Sequence, residues 1–192
     1  MNATRLGPVL ETARLILRPP LAEDFAAYCD FHTNEETMRH IGGVQPVPVV
    51  WRTLRVVAGS WALDGFGFFS VLEKASGKWI GRIGPIYPYQ WPGREVGWGL
   101  HTAYWGKGFA REAAVAVMDY VFDVLSWDRV IHTINPENAN SVALAKALGS
   151  SNQGPGALPE PFAHIPVDIW GQSREAWRSK NRAAVVLTAP VS

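Results

Sequence analysis

Tyr104-Trp105-Gly106-Lys107-Gly108-Phe109-Ala110-Arg111-Glu112 leads into the most regular segment of the chain. After Gly108, residues Ala110, Ala113, Ala114, Val117, Met118, Val121, Phe122 and Leu125 recur at i, i+3, i+4, i+7, which predicts an amphipathic helix running to about 125. The first turn of a helix is partially positive, so cations there cost roughly 0.3–1 kcal/mol each. Lys107 and Arg111 run against that preference. A bound anion reverses the argument: exposed amides, two glycines that let the backbone approach closely, and two cations together describe a phosphate cradle.

Just upstream, residues 94–100, REVGWGL, read as a strand with Glu95, Gly97 and Gly99 on one side and Val96, Trp98 and Leu100 on the other. Glycine inside a strand marks close approach of a ligand or another backbone, or a bulge. A strand feeding a glycine turn and then a helix is where α/β proteins commonly bind ligands.

Further out, 13–18 (ARLILR) alternates as a strand, with Arg14, Ile16 and Arg18 opposite Leu15 and Leu17. Residues 21–31 and 50–63 have helical spacing, separated by a Gly/Pro loop from Gly42 to Pro48. Phe66–Glu73 and Lys78–Tyr87 flank the turn Lys74-Ala75-Ser76-Gly77 as a hairpin. Residues 129–134 (RVIHTI) form a strand, Asn135-Pro136-Glu137-Asn138 a turn, and 141–148 a helix stopped by Gly149. The segment 150–161 reads as a Gly/Pro loop and 164–171 as a strand, placed at a sheet edge by Pro166. Residues 172–182 read as a short helix or turn. The order β-α-α-β-β-β-α-β-α-β predicts an α/β (α+β) fold, a central twisted mixed sheet flanked by helices. No repeat or linker divides the 192 residues, so one domain over 1–178 with a tail at 179–192 is expected.

A net charge of +1 argues against nucleic acid or an anionic membrane as a main partner. Cys29 is the sole cysteine, which excludes an intramolecular disulfide and a cysteine-rich zinc site; no metal site is expected. It lies among Phe25, Tyr28 and Phe31, as a buried structural thiol would. The nine tryptophans suit core packing first and a cleft lining second. The N-terminus has no apolar signal-peptide region, and no apolar run approaches the roughly 18–20 residues of a membrane span, so a cytoplasmic protein is expected. Arg111 stands where a dinucleotide fingerprint needs its third glycine, and no GxxxxGK[ST] occurs.

From about residue 11 to 177 the chain resembles the GCN5-related N-acetyltransferase (GNAT) family, in particular the branch that includes the ribosomal-protein alanine N-acetyltransferases. Four stretches carry the likeness in order: ETARLILRPPLAEDFAAYCDFHTNEETMRHIGG, REVGWGLHTAYWGKGFAREAA, DRVIHTINPENANSVALAKALG and SREAW. The resemblance implies an acyl-CoA N-acyltransferase fold and acetyl transfer from acetyl-CoA to a primary amine, on a protein N-terminus or a small molecule, by direct attack in a ternary complex. A non-catalytic acyl-CoA-binding or sensor domain is the second reading. The family's pyrophosphate loop falls on Trp105, Gly106, Lys107, Gly108, Phe109 and Ala110, followed by Arg111; Trp105 replaces the usual Gln or Arg. Asn138 and Ser141 match a cofactor-contacting Asn-x-x-Ser. Ser150 departs from the family's usual aromatic or Met. A homodimer is common in the branch.

Transfer from a thioester needs a held cofactor, a polarised carbonyl, a deprotonated amine and a thiolate that can leave. The resemblance gives a backbone N–H near Leu100 as oxyanion donor. Glu95, on the glycine side of its strand, is the first candidate base, with simple pairing to Arg94 or another surface cation as the plainer alternative. His132 and His101 are further candidates, although a lone strand histidine is more often structural. Ser141 stands where the family places a hydroxyl near sulfur; as a helix N-cap it would serve structure instead. Acceptor contacts are expected from the first two helices and the loops near 30–50, 87–93 and 150–165.

Overall fold

The computed structural model describes residues 6–180; the expected tail lies outside them except for its first two residues. Eight strands form one sheet: β1 (Leu10–Glu11), β2 (Leu15–Arg18), β3 (Phe69–Glu73), β4 (Trp79–Ile86), β5 (Glu95–Leu100), β6 (Arg129–Ile134), β7 (Ser151–Gly156) and β8 (Val167–Ser173). Their spatial order is β1-β2-β3-β4-β5-β6-β8-β7. The helices are α1 (Phe25–Thr33), α2 (Glu35–Met38), α3 (Val47–Leu63), α4 (Phe109–Asp119), α5 (Ala139–Leu148) and α6 (Arg174–Lys180).

Strands β1 to β5 pair antiparallel, as do β6, β8 and β7. One parallel seam joins these halves, and β5 meets β6 there through a single register pair, Glu95↔Ile131. Beyond that pair the strands diverge, and the fork between them positions the site. The apolar residues of β2 to β5 pack with α4 in the main core, which includes Leu15, Leu17, Val71, Ile83, Val96, Ala113 and Val117. Tyr28 of α1 packs with Val50 and Leu54 of α3 in a second cluster.

Several boundaries differ from the sequence expectation. Helix α3 begins at Val47, inside the expected loop, because a proline in the first turn leaves no interior N–H missing. Beyond Asp119 the long helix continues as one π turn, Tyr120–Val124. The expected loop 150–161 contains β7. Its polar, Gly/Pro-rich residues give no strand signal, yet it pairs with β8 at the sheet edge through a register broken between Asn152 and Pro155. Strand β8 is therefore internal, between β6 and β7, and not the expected edge; Pro166 precedes it and costs no ladder bond. Cys29 is only half-buried, facing the smaller core cluster. Trp61, Trp127, Trp170 and Trp177 are buried, whereas Trp91, Trp98 and Trp105 serve the site.

Candidate active site

The fork begins where two main-chain groups lose their strand partners. Val96 C=O accepts from His132 Nδ1 at 2.7 Å, and Thr133 N–H donates to Glu95 Oε1 at 3.3 Å. Two side chains thus satisfy the buried backbone groups that the diverging strands would otherwise orphan. Since Val96 C=O faces β6, the two-residue repeat of a strand turns the main-chain groups of Trp98 and Leu100 the same way, into the opening. Leu100 C=O is occupied by Trp105 Nε1 at 2.7 Å. Its N–H remains on that side.

On one side of the fork lies a cavity of about 570 Å³ between α2, the 104–111 turn and α5. Leu100, Trp105, Gly106, Gly108, Phe109, Ala110, Arg111, Asn138 and Ser141 all line it. Lys107 does not; its ammonium sits 5.3 Å from the centre of the Tyr104 ring. Gly106 and Gly108 have φ of +72° and +79°, in the left-handed region, and no side chain caps α4. Its first amides therefore face the cavity without a protein acceptor. Arg14 of the segment before β2 braces the turn, donating from Nη1 to Lys107 C=O at 3.0 Å and from Nε to Glu112 Oε2 at 2.7 Å. Thr12 Oγ1 donates to the same carboxylate at 2.6 Å. Burial alone would raise the Glu112 pKa, but these donors hold it below the usual range. Glu112 is thus the anion that the helix start favours, committed to the brace.

On the other side lies a cavity of about 560 Å³, lined by α3, β4 and the 87–91 and 158–167 segments, with Glu95 and His132 in its wall. Trp98, Asn138 and Ser141 line both cavities. Glu95 is 5% exposed. Its Oε2 accepts from Trp91 Nε1 at 2.6 Å and from Thr133 Oγ1 at 2.9 Å. Burial pushes its pKa up to about 7, against the lowering effect of the Trp91 and Thr133 bonds. No pairing with Arg94 occurs; that guanidinium stacks over Trp127.

Both ring nitrogens of His132 are engaged. With Nδ1–H on Val96, Nε2 accepts from Ser150 Oγ at 3.0 Å, and Ser150 in turn accepts from Gln172 Nε2 at 3.0 Å. Burial pushes the His132 pKa down to about 4, so the ring is neutral at pH 7. Ser150, the departure from the family pattern, is thereby a buried partner of the fork. His101 accepts from Ala103 N–H at 3.3 Å as the cap of a short 3-10 turn and lines neither cavity.

Asn138, not Ser141, caps α5: its Oδ1 accepts from Ser141 N–H at 3.1 Å. The helix starts two residues earlier than its spacing suggested, which moves Ser141 into the first turn. Ser141 Oγ accepts from Trp98 Nε1 at 3.1 Å, leaving its proton to donate.

The strand glycines do other work than expected. A Cβ on Gly97 would lie 3.1 Å from the Phe68 ring, and one on Gly99 2.9 Å from Phe31. The close approach on that face is by the protein's own aromatic side chains.

Residues 14–151 match the acetyltransferase (GNAT) domain family. Among curated proteins, an uncharacterized N-acetyltransferase p20 of Bacillus licheniformis is 32% identical over 149 residues, covering 76% of this chain and 83% of the relative. The uncharacterized N-acetyltransferase YoaA of Bacillus subtilis (strain 168) is 26% identical over 150 residues, 77% of this chain and 85% of its own. The crystal structure of an acetyltransferase from Agrobacterium tumefaciens str. C58 superposes with a TM-score of 0.77 at 29% identity, over 90% of this chain and 98% of that one. A ribosomal-protein-S5-alanine acetyltransferase from Vibrio fischeri shares the fold, with a TM-score of 0.70 at 19% identity over 88% and 98% of the two chains.

Proposed function

The chain belongs to the acetyltransferase (GNAT) domain family and is an acetyltransferase, and from that premise we propose that it transfers the acetyl group of acetyl-CoA to a primary amine by direct attack in a ternary complex. The observation that carries this reading is the meeting of two cavities at Trp98 and Ser141, with a buried carboxylate in the wall of the second. The residues present suit acetyl-CoA. The uncapped start of α4, with Gly106 and Gly108 before it and Arg111 beside it, offers amides and a cation to a pyrophosphate. When bound, the thioester supplies an activated acetyl group.

The chain's own residues supply the rest. Glu95 takes the proton from the acceptor ammonium; a base whose pKa is about 7 is matched to an α-amine near 8. Leu100 N–H faces the opening as a donor to the carbonyl oxygen as it gains charge. Ser141 Oγ–H is positioned by Trp98 to hydrogen-bond or protonate the leaving sulfur. His132 holds the fork open through Val96 and Ser150, which makes it a positioning residue more than a base. No cysteine lines either cavity, which favours direct attack over an acetyl-cysteine intermediate. The acceptor is a small-molecule amine or a protein N-terminus; the Vibrio fischeri neighbour is named for an alanine of a ribosomal protein.

Labelled acetyl-CoA offered with a panel of small amines and N-terminal peptides tests the reading. At least one amine is expected to be acetylated, with intersecting initial-rate lines in both substrates. Parallel lines would overturn direct attack. Tight acetyl-CoA binding with every amine refused would turn the reading toward an acyl-CoA-binding domain.

A further inference from the structure

The second cavity holds a charge that no protein group matches. Arg82 of β4 is half-buried and lines this cavity and an adjoining one. Among the described residues it pairs with no carboxylate and forms no side-chain hydrogen bond to a protein group, whereas Arg18, similarly placed on β2, forms two bonds to Asp24. Its guanidinium stacks 4.5 Å from the centre of the Phe68 ring. The polar groups that feel its charge are Tyr28 and His32. Both are buried; Tyr28 O–H and His32 Nε2 lack partners, and neither carries charge at neutral pH. Leaving a cation unpaired in such surroundings is costly, and the usual resolution is an anion with matching hydrogen-bond geometry.

Arg82 and Glu95 belong to one sheet face. In the register of β4 and β5, Arg82 lies opposite Gly99, Gly84 opposite Gly97, and Ile86 opposite Glu95. Directly opposed residues share a face, so Arg82 and Glu95 project from the same side, about 13 Å apart along the strands at their backbones. Between them the floor is glycine, and the Phe68 ring lies over Gly97. Val57, Phe66, Tyr87, Trp91 and Ile165 give the cavity its apolar body, and Thr53, Ser60 and Asp64 of the α3 side add polar groups, of which the Asp64 carboxylate forms no ion pair with Arg82.

We infer that the acceptor carries a carboxylate held by Arg82, separated by an apolar body from the amine that Glu95 deprotonates. This rests on the transfer reading above and narrows it to amino-carboxylates. The guanidinium fork suits a planar carboxylate, which it can bind through two parallel hydrogen bonds. Phe68 holds that fork toward the cavity, and Gly97 gives Phe68 its place.

An ω-amino acid series of increasing chain length, compared with the matching ω-amino amides, tests the inference in wild type, Arg82→Gln and Arg82→Lys. In wild type the acid is expected to exceed its amide in kcat/KM by about tenfold or more at the best length. The acid-to-amide ratio, read within each protein so that general losses cancel, should fall to about one in Arg82→Gln. Arg82→Lys should restore part of it. Equal use of carboxylate and neutral acceptors by wild type, in the ω-amino acid series and in peptides alike, or a preference that survives Arg82→Gln, would overturn the inference. Peptides with and without an acidic side chain form a second arm; a preference confined to them assigns the carboxylate to a peptide and supports the same contact. If no amine of any kind is acetylated, the transfer reading has failed, and calorimetry with an arylalkyl carboxylate lacking the amine still decides the anion site. Heat that disappears in Arg82→Gln supports it, and no heat with wild type overturns it. Should Arg82→Gln fail to fold, as judged by its melting transition, the wild-type ratio and Arg82→Lys decide.

Discussion

Three indoles spaced seven residues apart each donate to one group of the site: Trp91 to the Glu95 carboxylate, Trp98 to Ser141 Oγ, and Trp105 to Leu100 C=O. They hold the proposed base, the Ser141 hydroxyl and the end of the strand. Glu95→Gln is expected to lower kcat by roughly 10²–10⁴-fold, the usual contribution of a positioned base. Acetyl-CoA affinity, measured by calorimetry, should persist. In wild type, kcat/KM should rise with pH through about 7 as Glu95 ionises, and this inflection should vanish in Glu95→Gln. Stability moves oppositely. Folded Glu95 binds its proton more tightly than the unfolded chain does, so its contribution is present below pH 4.5 and is lost as pH rises through about 7. The melting temperature of Glu95→Gln minus that of wild type should therefore grow across that window, by the equivalent of roughly 2–3 kcal/mol. Glu95 was legible as a candidate because its strand neighbours are glycines. Its Trp91 and Thr133 donors were not, since they come from a turn and from a strand nearly forty residues away.

The 104–112 turn owes its shape to local chemistry and its position to a distant segment. At φ +79°, Gly108 accepts a side chain only with backbone strain, although a Cβ there would meet nothing closer than Arg14 Nη2 at 3.5 Å. Gly108→Ala should destabilise the fold by about 1–2 kcal/mol in urea titrations and weaken acetyl-CoA binding. Unchanged affinity would remove the loop from the proposed cradle. Arg14→Ala cuts the brace to Lys107 C=O and Glu112 and should weaken acetyl-CoA binding with little change in kcat at saturation. The helix start could be read from the glycines and the apolar repeat. The brace could not, because nothing in the spacing of 12–14 says that these residues meet position 112. Strand β7 shows the converse failure: SNQGPG carries turn residues, and only its ladder with β8 makes it a strand.

Among the described residues no helix is long and apolar enough to cross a membrane, and no three His, Cys, Asp or Glu side chains gather as metal ligands. Helix α6 secures the architecture. Trp177 is buried in the main core and donates to Asp119 Oδ1 at 2.7 Å. Trp177→Ala should cost about 3–5 kcal/mol in chemical denaturation, from the cavity and the unpaired carboxylate left behind. The sequence by itself determined the mixed α/β class and the strand–turn–helix at 95–119, because periodicity and glycine placement act over a few neighbours, and its family resemblance named nine residues that line the first cavity. Only the tertiary structure decided that β5 and β6 part after one pair, that His132 and Glu95 cap the parting strands, and that Arg82 faces the second cavity without a partner among the described residues. Those outcomes depend on register between distant strands and on how far burial shifts a charge, quantities that no local pattern encodes. The 104–112 segment, a helix start with cations of the wrong sign, is one wall of the fork, and its acidic residue, Glu112, anchors the Arg14 brace.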